Sequence, residues 1–231
     1  MTVETGSLAP DAVRRMFDRI APVYDVMNRS MTAGLDGRWR RLTAEAVVRP
    51  GDRVLDACCG TGDLALACAR AGAGAVVGLD FSERMLERAR RKPQVTDCYL
   101  EWVHGDLLEL PFDDASFDGA TVGFGIRNVE SIDRALGELH RVLRPGARLG
   151  ILEIMRPTGA LAPFYRAWFD GIIPLAGKLF RGGSAYTYLP ASVRRFPAPE
   201  VFSNSLLQAG FKQVHFRLMA GGIVALHTGQ A

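Results

Sequence analysis

After Pro50-Gly51-Asp52 the chain keeps to one rhythm, and that rhythm admits few folds. A short apolar run is followed by a glycine-rich or polar turn, then a helical stretch, and the cycle begins again. Val54-Leu55-Asp56-Ala57 reads as a buried strand ended by Gly60-Thr61-Gly62. Residues 64–72, LALACARAG, are apolar nearly all round and read as a buried helix, with Asp63 placed to cap it. AVVGLD (75–80) is a second buried strand, and Ser82 is placed to cap the helix ERMLERARRK. CYLEWV (98–103) and FDGATVG (117–123) are the third and fourth strands. Ile132, Leu136, Leu139 and Leu143 give one apolar face to a helix over 131–144, which Pro145-Gly146 stops before a fifth strand, ARLGILEI (147–154). Residues 213–219 and 222–228 add two more strands, joined at Ala220-Gly221-Gly222, and fit a sheet that ends in an antiparallel strand. Strands alternating with helices predict right-handed βαβ units and a parallel sheet covered on both faces.

The ends of the chain break the rhythm. Residues 1–50 predict a loose tail and then a helical cap; 51–154 are the αβ core. Residues 155–212 are an insertion with Phe164, Tyr165, Trp168, Phe169, Phe180, Tyr186 and Tyr188, rich enough in aromatics and proline to form a lid; 213–231 hold the final strand pair. Nothing repeats, so one domain of 231 residues is predicted, large enough to bury a core without staples. A net charge of +3 is too small to argue for nucleic acid. Cys58, Cys59, Cys68 and Cys98 form no C-x-x-C, and no histidine stands at ligand spacing, so no metal site or disulfide framework is predicted. The N-terminal stretch has no apolar signal core, and no apolar run reaches about 18 residues. These features predict a cytoplasmic protein.

The pattern Asp56-x-x-x-Gly60-x-Gly62 closes the first strand, and Asp80 closes the second. In an open parallel sheet ligands sit beyond the carboxyl ends of the strands. Glycines there let a ligand approach the backbone, and a carboxylate at the end of strand two can accept bonds from both hydroxyls of a ribose. GTGDLA satisfies the dinucleotide pattern G-x-G-x-x-G/A, so an NAD(P)-dependent reductase is one reading. Asp56 speaks against it: a carboxylate beside the first glycine repels a pyrophosphate but suits the amino end of S-adenosyl-L-methionine. Asp106 is placed to hydrogen-bond an adenine amino group, with Phe81 and Leu107 to cover the ring faces. Together these residues favour S-adenosyl-L-methionine.

The segments VLDACCGTGD (54–63), GLDFSERML (78–86), GDLLELPFDDASFD (105–118) and HRVLRPGARL (140–149) resemble the successive motifs of class I S-adenosylmethionine-dependent methyltransferases, whose Rossmann-like fold carries a seven-stranded, mostly parallel sheet. Four less common stretches narrow the resemblance: MFDRIAPVYDVMN (16–28), GFGIRNV (123–129), AYTYLPASVRRFP (185–197) and GGIVALHTG (221–229). They resemble the ubiquinone/menaquinone biosynthesis C-methyltransferases, from about residue 13 to residue 229. The resemblance implies C-methylation of a polyprenyl quinol, demethylmenaquinol first, with a ubiquinone-pathway benzoquinol or a secondary metabolite as alternatives. It places the family's cofactor positions on Thr61, Asp80, Asp106, Leu107 and Gly123. It also implies peripheral contact with a membrane and is compatible with a homodimer. Three positions depart from the family: Ala57-Cys58-Cys59 stand where a Leu-Ala-Gly run is common, Gly123 stands where Ser is common, and Ala147 replaces the second glycine of a Pro-Gly-Gly turn.

Methyl transfer to an aromatic carbon needs a ring hydroxyl that loses or shares its proton. The resemblance puts the quinol at Arg127 and Asn128, after the fourth strand. An arginine keeps its proton, with a pKa above about 12, so Arg127 reads as a phenolate stabiliser, as the holder of an activating water, or as the partner of a loop carboxylate. Asn128 either caps the next helix or binds a ring oxygen. Tyr24 either bonds the acceptor or closes the lid. Asp63 caps its helix, with a second role near the quinol hydroxyl. His140 reads as exposed, and His104 and His227 as structural. RWRR (38–41) reads as a solvated face with a weak attraction to anionic lipid.

Overall fold

The computed structural model describes residues 10–93, 97–156 and 183–231. Most of the aromatic insertion therefore lies outside the described residues, including Phe164, Tyr165, Trp168, Phe169, Phe180 and the side chain of Tyr186. Seven strands form one sheet: β1 (Arg53–Ala57), β2 (Ala75–Asp80), β3 (Tyr99–His104), β4 (Phe117–Gly123), β5 (Leu143–Ile154), β6 (Lys212–Met219) and β7 (Val224–Gln230). Their order is β3-β2-β1-β4-β5-β7-β6. β1 to β5 pair in parallel, while β7 is antiparallel to both β5 and β6. The antiparallel strand thus lies inside the sheet, with β6 at the edge, because the hairpin after β6 folds back to fill the place beside β5.

The helices are α1 (Pro10–Ile20), α2 (Tyr24–Thr32), α3 (Leu35–Val47), α4 (Asp63–Arg70), α5 (Glu83–Arg90), α6 (Ile132–Val142), α7 (Gly183–Arg195) and α8 (Pro199–Gln208). One face of the sheet is covered through Ile132, Leu136 and Leu139 of α6 and Phe202 and Leu206 of α8. Ala44 of α3 and Leu64, Ala65 and Cys68 of α4 pack with Val54 and Val76 in a second cluster. The central strand β1 is buried at every residue after Arg53, so its near-continuous apolar run follows from covered faces. Edge strands β3 and β6 alternate in exposure instead. A third cluster joins the cap to the core: Val13, Met16, Ile20 and Ala21 pack on Met85 of α5 and on Tyr188.

Two strand starts differ from the sequence reading by two residues or more. The fifth strand starts at Leu143, not 147, because α6 ends at Val142 and the chain turns extended at once. Pro145-Gly146 sits in an irregular stretch of that strand: Leu143 pairs with Phe117, but Arg148 pairs with Gly119. The last strand starts at Val224 rather than 222, because Gly221 and Gly222 take positive φ in a 3₁₀ turn that no strand can continue. Histidines divide as well. His227 is wholly buried, with Nε2 at 3.1 Å from Pro199 O, and burial pushes its pKa down to about 4, so its ring is neutral and structural. His140 is half-buried rather than exposed, its ring edge-on to Phe211.

Trp102 of β3 lies over the backbone of the first two strands. A Cβ on Gly78 would meet its ring at 2.5 Å and Cys59 Sγ at 3.1 Å; one on Gly62 would meet the same ring at 2.5 Å. Gly62 also has φ of +84° as the residue before α4, so it serves the turn and the tryptophan. Overpacking of this kind costs about 1–3 kcal/mol. Gly78→Ala is expected to lower stability by that amount, read as a fall of several degrees in a thermal melt. An unchanged melting temperature would show that Trp102 moves aside freely.

Candidate active site

The strand order reverses between β1 and β4, and a cleft opens there at the carboxyl ends of the strands. It encloses about 910 Å³ of non-atom space, open solvent at its mouth included. Its walls come from the turn after β1 (Cys58, Gly60), the end of β2 (Asp80, Phe81), the segment after β3 (Asp106, Leu107), and the segment after β4 (Gly123, Asn128). Val13, Phe17 and Tyr24 of the cap and Met85 of α5 close it with an apolar wall. A smaller polar pocket of about 300 Å³ adjoins it, sharing Tyr24, Cys58, Gly60 and Gly123 and adding Arg40, Asp56, Thr61 and Asp63.

Buried carboxylates stand at the strand ends. Asp80 Oδ2 accepts the Gly60 amide at 2.8 Å and Oδ1 accepts the Ser82 amide at 2.9 Å. Each oxygen retains a free lone pair, enough to accept two ribose hydroxyls. Burial pushes its pKa up to about 6, against those two amide bonds. Asp56 is the register partner of Thr121, so both side chains share a face, and Oδ1 accepts the Thr121 hydroxyl at 2.8 Å. Its Oδ2 is buried with no partner among the described residues. Burial lifts this carboxyl to about 7, opposed by the Thr121 bond. A buried anion oxygen without a donor suits a cationic group and repels a phosphate. Asp106 is exposed at the rim, where Oδ1 accepts the Leu108 amide at 2.9 Å. Phe81 and Leu107 line the same end. A Cβ on Gly123 would meet Leu64 Cδ2 at 2.9 Å, so a serine there would displace that methyl.

Several of these residues stand elsewhere than the sequence suggests. Gly62 lines neither pocket. Thr61 lines the polar pocket, and its buried hydroxyl donates to Asp25 Oδ1 at 2.5 Å, which ties the glycine turn to the cap. Asp63 does not cap α4, whose first turn follows Gly62 without a side-chain cap. Instead Asp63 accepts Lys92 Nζ at 2.5 Å and lies 4.0 Å from Arg40. Lys92 also pairs with Asp25 at 2.9 Å and donates to Thr61 at 3.1 Å, which ties α2 to the glycine turn. The run RWRR splits: Arg38 and Arg41 are exposed, while Trp39 and Arg40 are buried and Arg40 pairs with Asp36.

Beyond β4 the chain forms the 3₁₀ turn Ile126–Asn128. Arg127 is buried and pairs with Glu153 of β5, Nη1 to Oε1 at 2.6 Å, and the same nitrogen donates to Phe124 O at 2.6 Å. Its partner is thus a wholly buried strand glutamate, not a loop carboxylate. Burial raises the Glu153 carboxyl, against the pull of Arg127. Arg127 Nε and Asn128 Oδ1 are buried without partners among the described residues. Asn128 does not cap α6: Ser131 does, accepting the Arg134 amide at 3.3 Å. Desolvation raises the half-buried Tyr24 hydroxyl, opposed first by a hydrogen bond with Asn28 and then by the charges of Arg40 and Arg127. The residues missed from the sequence are Asp25, Arg40, Lys92 and Glu153. Only Glu153 left a signal, as one charge inside the apolar run ILEI.

Residues 5–231 match the sequence profile of the ubiE/COQ5 methyltransferase family. The chain belongs to that family. A demethylmenaquinone methyltransferase of Thermus thermophilus is 44% identical over 218 residues, covering 93% of this chain and 99% of that protein. A 2-phytyl-1,4-naphtoquinone methyltransferase of Synechococcus elongatus is 40% identical over 221 residues, covering 93% of this chain and 95% of that protein. Nothing among these relatives favours the reductase reading. Solved structures share the fold at lower identity. The [4+2]-cyclase SpnF superposes with a TM-score of 0.72 at 20% identity, covering 98% of each chain. Phosphoethanolamine N-methyltransferase 2 of Haemonchus contortus, in complex with S-adenosyl-L-methionine, superposes at 0.61 and 16% identity, covering 82% of this chain and 50% of that one.

Removing one partner of a buried ion pair leaves an uncompensated charge, at a cost of about 3–5 kcal/mol. Glu153→Ala is expected to lose stability in that range in denaturant titration. Replacing Arg127 and Glu153 together by leucine should cost less than either single change. A loss below about 1 kcal/mol in Glu153→Ala would show that water reaches Arg127.

Proposed function

We propose that this enzyme transfers the methyl group of S-adenosyl-L-methionine to a ring carbon of a polyprenyl quinol, with demethylmenaquinol as the acceptor. The observation that carries the reading is the polarity of the cleft and its side pocket: buried carboxylates stand at the ends of β1 and β2, the half-buried Asn128 lines the wall after β4, and the buried Arg127 precedes it in the same 3₁₀ turn. Asp80 takes the ribose hydroxyls, Asp106 the adenine amino group, and Phe81 and Leu107 the ring faces. Gly60 lets the backbone approach the cofactor, and Gly123 lines the same cleft with its missing Cβ turned toward Leu64. Asp56, with its orphan oxygen, takes the amino group. Once bound, the cofactor supplies an electrophilic methyl group on a sulfonium. Asn128 Oδ1 accepts a hydrogen bond from the ring hydroxyl; that hydroxyl proton leaves to solvent as the ring carbon takes the methyl group and the thioether departs, and the proton on the methylated carbon then shifts to the ring oxygen as aromaticity returns. Arg127, held in place by Glu153, lies behind that contact and stabilises the charge that grows on the ring oxygen. Tyr24 keeps its proton and donates. Asp63 is engaged by Lys92 and Arg40, which places it in the cap contact rather than at the reacting oxygen. Val13, Phe17 and Met85 exclude water. A tailed acceptor also calls for peripheral work at the cytoplasmic face of a membrane.

The direct test is methyl transfer from labelled cofactor to a panel of reduced naphthoquinones and benzoquinones in single-turnover mode. Arg127→Ala is expected to slow transfer roughly a hundredfold to a thousandfold while leaving cofactor affinity nearly intact, because the contact acts on the transition state. Arg127→Lys should rescue only part, since an ammonium lacks the planar fork. A rate within about threefold of wild type in Arg127→Ala would reduce Arg127 to a structural ion pair.

Cofactor affinity should depend on pH. In the free enzyme Asp56 and Asp80 titrate near 7 and 6, so part of each is protonated at neutral pH. A cationic ligand favours the ionised carboxylates, so binding releases protons. Affinity should therefore rise as pH climbs from about 5.5 to about 7, by up to about tenfold per proton per pH unit. Asp56→Asn should flatten the upper part of that rise. Calorimetric titration in buffers of different ionisation heat measures the release; none between pH 6 and about 7 would remove Asp56 from the amino group.

A further inference from the structure

Helix α2 is anomalous for a globular protein, because none of its residues is buried. Its inner side, through Tyr24, lines the cleft. The outer side carries Val26, exposed at 70%; Val23, the residue just before the helix, is exposed at 53%, and Leu35 beyond it at 46%. Arg29 continues the stripe and is exposed. Arg15, Arg19, Arg29 and Arg38 of the cap are exposed and make no ion pair among the described residues. Among the described residues of α1 and α2, Asp11 is the one exposed acid, and it is held by Arg14 at 3.1 Å. Arg29 also forms one wall of a separate groove of about 1120 Å³ between α3 and α4. Arg40, Arg41 and Arg70 line the same groove. Arg40 is committed to Asp36 and Arg41 lies 3.8 Å from Glu45, which leaves Arg29 and Arg70 free for a ligand.

An apolar stripe flanked by unpaired arginines has one complementary surface, an anionic bilayer. Apolar side chains reach the acyl boundary, and guanidinium groups meet lipid phosphates. We propose that the outer face of α2 and the groove beside it form the membrane-docking surface of this enzyme, with Val23 and Val26 in the interface and Arg29 and Arg70 on lipid phosphates. Docking by this face brings the helix that carries Tyr24 against the membrane. The cleft then opens where a tailed acceptor resides. The inference rests on the proposed quinol chemistry for its purpose, but the surface itself does not.

The test is sedimentation of the full chain with mixed phosphatidylcholine–phosphatidylglycerol vesicles, without any quinol. Wild type should bind them, and more weakly as salt rises. Val26→Asp should weaken binding about tenfold, the worth of one buried valine. Arg29→Glu, which changes two charges, should weaken it about thirtyfold. Arg134→Glu, on α6 across the sheet, should leave it unchanged. Turnover provides the second readout. Val26→Asp should lose turnover of a long-tailed quinol held in vesicles and keep turnover of a short-chain quinol in solution. Unaltered vesicle binding in both Val26→Asp and Arg29→Glu, or an equal loss in Arg134→Glu, overturns the proposal. Should no quinol be methylated while the vesicle pattern holds, the surface stands and the acceptor assignment falls.

Discussion

The carboxylate of Asp80 accepts the amides of Gly60 and Ser82, and those two bonds fix the relative positions of three segments. Gly60 belongs to the turn after β1, Asp80 to the end of β2, and Ser82 to the start of α5. Ser82 then passes the constraint outward: its hydroxyl caps α5 by accepting the Met85 amide and donates to Asp18 of the cap at 2.5 Å. A single buried acid therefore connects the sheet, the glycine turn and the cap helices. Its elevated pKa measures the desolvation that such an arrangement costs. A cation bound in the cleft relieves part of that cost.

Local pattern made the core legible. Buried parallel strands are short apolar runs and their helices have clear apolar faces, so β1 to β4 and α4 to α6 could be placed from the sequence nearly to the residue. The carboxylates were legible because a charge that ends a buried strand has few reasons to be there. What stayed hidden was set by long-range packing. Lys92 lies at the foot of a basic helix and looks like one solvated charge among many, yet it meets Asp25, Thr61 and Asp63 from three different segments. Asp63 had every local mark of a helix cap and was taken by that lysine instead. Asn128 was displaced as a cap by Ser131, whose spacing to α6 is better. Gly62 reads as a cofactor glycine from its motif, and only the position of Trp102 shows its packing role. Strand ends moved where glycine and proline conformations overrode periodicity.

Fold alone says little about chemistry here. SpnF, a cyclase, superposes on this chain more closely than the phosphoethanolamine methyltransferase does. Discrimination lies in a few side chains on that scaffold. Under the proposed function the Arg127–Glu153 pair is one such feature. Glu153 belongs to β5 and Arg127 to the turn after β4, so neighbouring strands set the position of the arginine rather than a free loop. A rigid cation costs nothing to reorganise when charge develops near it.

The place of β7 has a consequence for how the molecule is made. Among the described residues it follows every other strand, yet it supplies the strand partner of β6 and the second partner of β5. Until Val224–Gln230 leave the ribosome, β5 presents an open row of amides and carbonyls along Leu149–Ile154, and β6 has nothing to pair with. Such an edge is a template for pairing with another nascent chain. The ligand cleft, built from β1, β2 and β4, can be shaped well before that point. Synthesis thus passes through an interval in which the ligand-binding half is formed and the far edge of the sheet is still exposed to aggregation.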